Sequence, residues 1–178
     1  QVGHIEITGI IVCHFARVKR VSAEMAYRND GIGGRTSTGA FAVGFLERFI
    51  QTVLLILITL LGGIAAPYMV NMRMGVGAHV IGLFGGLVLI GVGLARPLFA
   101  LGPRLWRTMH VSWFAAAYVN WLSATIGGLT GASSLTPIAG AGTAGSPLAE
   151  AVVFWLFCVV GLSSLVGATL AVYGLRRP

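Results

Sequence analysis

From about residue 49 onward, apolar positions fall in four long unbroken runs, not in a one-sided stripe or an alternation. The runs cover about 49–69, 76–95, 109–129 and 148–174. Each reaches the ~20 residues that carry an α-helix across ~30 Å of hydrocarbon. Backbone polar groups inside a bilayer must pair within their own segment, so each run is predicted to be a helix. The pattern predicts an all-α, polytopic membrane protein built as a four-transmembrane-helix bundle. The connections are short. They are a tight turn over 68–75, a stretch over 96–108 with two prolines and three arginines, and an uncharged Gly/Ala/Ser/Thr/Pro loop over 131–147. Residues 1–40 are polar, Gly-rich and basic, and read as a poorly ordered or peripheral cytoplasmic segment. Residues 41–178 form the transmembrane domain.

The basic residues give the runs a direction. Of twelve Lys and Arg, six precede or open the first run: Arg17, Lys19, Arg20, Arg28, Arg35 and Arg48. Arg96, Arg104 and Arg107 lie between the second and third, and Arg176 and Arg177 follow the fourth. Arg73 alone sits between the first and second. Lys and Arg concentrate on the cytoplasmic side. Both termini are therefore expected in the cytoplasm of a cell (inner or plasma) membrane, with the loops after runs one and three outside.

Composition agrees. Hydrophobic residues make up 56% of the chain and charged residues 10%, against about 25% charged in a soluble domain. The net charge of +7 sits at the ends of apolar runs and is not interleaved with aromatics, so membrane lipid, not nucleic acid, is the expected partner. The two cysteines, Cys13 and Cys158, form no CxxC and no disulfide framework. The apolar stretch 5–12 is too short for a secretory signal and precedes its basic cluster. No phosphate loop, nucleophile elbow, HExxH or dinucleotide fingerprint occurs. No carboxylate lies deep in a run, which argues against a proton-coupled transporter.

Chemistry-bearing residues concentrate in runs two and three. His79 lies about one turn into the second run, with Gly82 and Gly86 following on the same face. A small-xxx-small pattern lets another backbone or a flat ligand approach closely. His79 either binds a metal or haem iron there or hydrogen-bonds a neighbouring helix while the glycines only pack. In the third run, Trp113, Ala117, Asn120, Ala124 and Gly127 form one seam. Asn120 either orients a polar substrate atom or ties two helices together. Tyr118 lies off that face, and Trp121 adjoins it. Run four opens with Ser146, Pro147 and Glu150, a well-formed helix start. Glu150 is either a helix-dipole partner or a proton donor and acceptor at the outer mouth. Arg73 faces either Glu150 or lipid headgroups. Ser163, Gly167 and Ala171 make a second small-residue seam.

These residues resemble hydroxylaminobenzene mutase. The resemblance rests on Asn71-Met72-Arg73-Met74-Gly75 followed by Ala78-His79 and a glycine-rich run ending near Pro97. It continues through Tyr118-Val119-Asn120-Trp121-Leu122, Gly131-Ala132, Pro137-Ile138-Ala139-Gly140, Glu150 and Gly174-Leu175-Arg176. It covers roughly 49–177. More distantly the chain is similar to styrene oxide isomerase, a small four-span membrane protein. The family pattern has Pro where Met72 stands and His about where Gln51 stands.

The resemblance implies an isomerase or mutase that rearranges an apolar aromatic hydroxylamine, or an epoxide-like molecule, by breaking a bond to oxygen with no net redox change. It implies a homotrimer with haem b at subunit interfaces. His79 would be the axial ligand, and Gly82 and Gly86 would admit the flat cofactor. Asn120 and Tyr118 would hydrogen-bond the oxygen or position the ring. Trp121 would line the pocket, with Arg73 and Glu150 at its mouth. Two other readings remain open on the residues: a non-catalytic subunit packing into a larger membrane complex through its small-residue seams, and a small transporter or channel.

Overall fold

The computed structural model describes the backbone of residues 36–175 and the side chains of 49–175. The expectations for residues 1–35, including the cationic residues Arg17 to Arg35, lie outside the described residues. Contacts divide the chain into Gln1–Phe49 and Ile50–Pro178. The described residues contain helices and no strand.

Helix α1, Thr36–Ala65, closes in a 3-10 turn, Ala66–Tyr68. Helix α2, Met72–Leu94, ends in a second 3-10 turn, Arg96–Leu98. Helix α3 is Pro103–Thr130, α4 is the short Pro137–Gly140, and α5 is Pro147–Leu175. Three segments are long and apolar enough to cross a membrane: Phe49–Tyr68, Met72–Leu94 and Pro147–Leu175. Helix α3 is equally long at 28 residues, but His110, Tyr118 and Asn120 dilute its apolar character.

Two helices start earlier than the apolar runs suggest, and local chemistry explains both. Asn71 caps α2, its side-chain oxygen accepting from Met74 N at 3.1 Å. An Asn cap satisfies one of the orphan amides of a first turn, so α2 begins at Met72 and His79 lies two turns inside it. Pro103, with its fixed φ and no N–H to lose, opens α3. Arg104 and Arg107 thus sit on the helix and not in a loop. Arg96 lies over the Trp106 ring, 4.9 Å from its centroid. Gly131 ends α3 with φ of 74°, and its N–H donates to Gly127 O at 2.8 Å. That left-handed conformation suits glycine.

Small residues set the helix spacing. Helix α2 buries Gly75, Ala78, Gly82 and Gly86. A Cβ on Gly86 would lie 2.5 Å from Ile56 Cγ1 of α1, and one on Gly85 would lie 3.1 Å from Ala117 Cβ of α3. Helix α3 packs between α2 and α5. On the α5 side a Cβ on Gly167 would meet the Trp113 ring at 3.2 Å, and one on Gly174 would meet Leu101 at 2.8 Å. The seams expected at Trp113 to Gly127 and at Gly167 are therefore intramolecular contacts. The outer faces of α1, α2 and α5 expose Leu61, Phe84, Leu87, Trp155 and Leu162, as surfaces that meet lipid do.

Candidate functional site

The site grows from one face of α1. Thr52, Leu55 and Thr59 are buried at helical spacing, and α2 lies against them. His79 Nδ1 is 3.0 Å from Thr59 O. A carbonyl oxygen only accepts, so Nδ1 carries a proton, and in the neutral ring the lone pair is on Nε2. Nε2 has no hydrogen-bond partner among the described residues. The ring is half-buried and lies over Gly63, where a Cβ would come within 2.9 Å of Cγ and Cε1.

One turn further along α2, three helices converge. A Cβ on Gly82 would lie 2.8 Å from both Thr59 Cγ2 and Trp121 Cδ1. Gly82 and Gly86 are thus covered by Thr59, Trp121 and Ile56 of the same chain, and the space expected for a flat ligand at these two glycines is filled. Thr59 Oγ1 is buried without a conventional partner. It rests against the Gly82 backbone, in the manner of the weak Cα–H···O contacts common where helices cross closely.

A column of aromatic rings starts just before α3 and continues along it. Phe99, Trp106, His110, Phe114 and Tyr118 follow one another with centroid separations of 6.0, 6.0, 5.1 and 5.6 Å. The i, i+4 spacing of Trp106, His110, Phe114 and Tyr118 makes this column visible in the sequence. The column ends where the Tyr118 hydroxyl donates to Gln51 O at 2.6 Å. Tyr118 thereby commits its only proton to α1. Asn120 is half-buried and its amide makes no hydrogen bond among the described residues, so it ties no helices together in this chain.

Arg73 and Glu150 form no ion pair among the described residues. Glu150 instead organises the 131–146 loop. Its Oε1 accepts from Ser133 N and Gly145 N, each at 3.0 Å, and its Oε2 from Ser134 N at 3.1 Å and Ser134 Oγ at 2.7 Å. Asn71, 4% exposed, holds the same loop from the other side. Its Nδ2 donates to Gly140 O at 3.0 Å, Thr143 Oγ1 at 2.9 Å and Ala139 O at 3.3 Å. The Ser146 hydroxyl caps α5 as expected, accepting from Ala149 N. Sequence reasoning missed Thr59, Gly63 and the loop-holding role of Asn71. Their signals were a threonine in an apolar run, one glycine of a Gly-Gly pair, and an Asn just before a helix.

No group of three or more His, Cys, Asp or Glu side chains able to hold a metal ion occurs among the described residues. The fit to a haem therefore rests on one imidazole. An imidazole whose Nδ1–H is held by a carbonyl and whose Nε2 is free is the arrangement of a metal-ligating histidine.

Comparison with known proteins covers this same region. The family model described as styrene oxide isomerase matches residues 48–176. Hydroxylaminobenzene mutase HabB of Ectopseudomonas oleovorans is 33% identical over 125 residues, covering 70% of this chain and 76% of that protein. Hydroxylaminobenzene mutase HabA of the same organism is 36% identical over 116 residues, covering 63% of this chain and 84% of its own length. No solved structure matches the chain significantly.

Proposed function

The chain belongs to the styrene oxide isomerase family, and from that premise we propose that it is a membrane isomerase that rearranges an apolar aromatic hydroxylamine or an epoxide-like substrate. The observation that carries the reading is His79, with Nδ1 tied to Thr59 O and Nε2 uncommitted. For an aryl hydroxylamine the N–O bond breaks with its electron pair leaving on oxygen. A ring C–O bond forms, and the displaced ring proton ends on nitrogen, so atoms and electrons balance without a co-reactant. The demanding moment is the departure of oxygen.

His79 Nε2 would hold a haem b iron, while the Gly82 and Gly86 strip is covered by Thr59, Trp121 and Ile56 of the same chain. When bound, ferric haem would supply Lewis acidity towards the departing oxygen. The remaining roles belong to the chain. Asn120 has a free amide and donates to the oxygen as charge develops on it. Trp121 packs against the ring. Tyr118, its proton taken by Gln51 O, contributes its aromatic face and fixes α1 to α3. The apolar surroundings exclude water from the cation that forms. Arg73 lies at the outer rim, and Glu150 acts through the loop it holds.

In this reading α3 is a fourth crossing. Three of its hydroxyls are satisfied within the helix: Ser123 donates to Val119 O, Thr125 to Trp121 O and Thr130 to Ile126 O, at 2.6 to 2.8 Å. Such back-bonding makes polar residues tolerable in lipid. Four crossings put both termini in the cytoplasm of the plasma membrane, and the protein assembles as a homo-oligomer, a trimer by resemblance. An absorbance spectrum of the purified protein from 350 to 650 nm tests the cofactor. A Soret band lost in His79→Ala supports the reading, and a colourless protein without isomerase turnover on hydroxylaminobenzene or styrene oxide overturns it.

A further inference from the structure

In an α-helix the carbonyl of residue 59 accepts from the amide of residue 63. A carbonyl oxygen has two lone pairs, but the second is ordinarily screened by the side chain one turn on. Here that residue is Gly63, and the His79 ring occupies the space its side chain would fill. A Cβ there would lie 2.9 Å from both Cγ and Cε1 and closer still to Nδ1. Nδ1 donates to the same Thr59 carbonyl at 3.0 Å. The neighbouring Gly62 has nothing within 4 Å of its Cβ position. The two glycines of the pair are therefore not equivalent, although the sequence does not distinguish them.

We infer that Gly63 and the Thr59 carbonyl together are the positioning element of His79. The carbonyl places the proton on Nδ1. The missing side chain lets the ring reach it and turns Nε2 away from α1. Helix α1, whose described side chains include no His, Cys, Asp or Glu, thus decides which imidazole nitrogen can coordinate. The use of that nitrogen rests on the isomerase reading above; the tautomer and the ring position do not.

The test compares Gly63→Ala with Gly62→Ala in the full chain in detergent micelles. Alanine is the better helix former at both sites, so a difference between them reports the His79 contact. With 15N-labelled histidine, the His79 signals are identified by their loss in His79→Ala. The parent and Gly62→Ala are expected to show the Nδ1-protonated tautomer, and Gly63→Ala to lose it. Haemin titration is expected to show binding about 10- to 100-fold weaker in Gly63→Ala, the usual cost of losing a group that orients a ligating histidine. Should Gly63→Ala fold poorly, Gly63→Ala/His79→Ala is expected to melt at the temperature of His79→Ala, because removing the ring removes the clash. An unchanged His79 tautomer in Gly63→Ala, or a double variant as unstable as Gly63→Ala alone, overturns the inference. A parent that shows the tautomer but binds no haemin leaves the positioning element standing and refutes the haem reading instead.

Discussion

Asn71 offers a quantitative check on how the 131–146 loop is held. It is buried, with 4% exposure, and its two side-chain atoms do different work. The oxygen caps α2 by accepting from Met74 N. The nitrogen reaches Gly140 O, Thr143 Oγ1 and Ala139 O, though its two protons serve only two of them well at once. A cap of this kind contributes about 1 kcal/mol, and each buried hydrogen bond about 1 kcal/mol more. Asn71→Ala is therefore expected to lower stability by about 3 kcal/mol. Asn71→Asp separates the two halves. Aspartate is as good a cap as asparagine and better placed for the helix dipole, so a capping role alone predicts parent-like stability. If the loop-holding bonds matter, the new carboxylate oxygen meets two carbonyls in a buried site, and Asn71→Asp loses at least as much as Asn71→Ala. Unfolding in mixed micelles measures both, and limited proteolysis within 131–146 reports the loop. An Asn71→Asp protein with parental stability and parental protease resistance refutes the reasoning.

Asn120→Leu is expected to reduce kcat about 100-fold, the typical cost of one lost oxyanion donor, with melting close to the parent because the amide holds nothing. Tyr118→Phe is expected to do the reverse. It loses about 1 kcal/mol of stability with the bond to Gln51 O and keeps most turnover; steady-state rates beside melting curves distinguish the two. Gly86→Ala, which forces a Cβ against Ile56 Cγ1 at 2.5 Å, is expected to cost about 1–3 kcal/mol. Gly77→Ala has nothing within 4 Å and is expected to be neutral or slightly stabilising. Glu150→Gln removes one carboxylate oxygen from a site where four donors converge, and hydrogen exchange is expected to quicken at the Ser133, Ser134 and Gly145 amides while α5 stays protected.

Helix existence was legible from the runs because hydrocarbon thickness and backbone pairing leave few alternatives. Helix starts were not, since caps act outside the apolar pattern: Asn71 and Pro103 each add helix that hydropathy does not register. The site residues divide in a similar way. The composition of α2 shows that something approaches closely at Gly82 and Gly86, but not whether it is a ligand or another helix. The answer lies in α1, where Thr59 and Ile56 face those glycines. Tyr118 and Asn120 show the same limit. Both are hydrogen-bonding side chains in the middle of one helix, on different faces, and sequence does not say which of them is already bonded. The fold spends the Tyr118 proton on Gln51 O and leaves the Asn120 amide free. Within the proposed isomerase reading that difference favours Asn120 over Tyr118, because a group whose donor is already committed can stabilise departing oxygen only by breaking a 2.6 Å bond. Gln51 stands about where the family pattern has histidine, yet the partner of Tyr118 is its backbone carbonyl, which every residue type supplies. The departure at position 51 therefore leaves the α1–α3 tie intact.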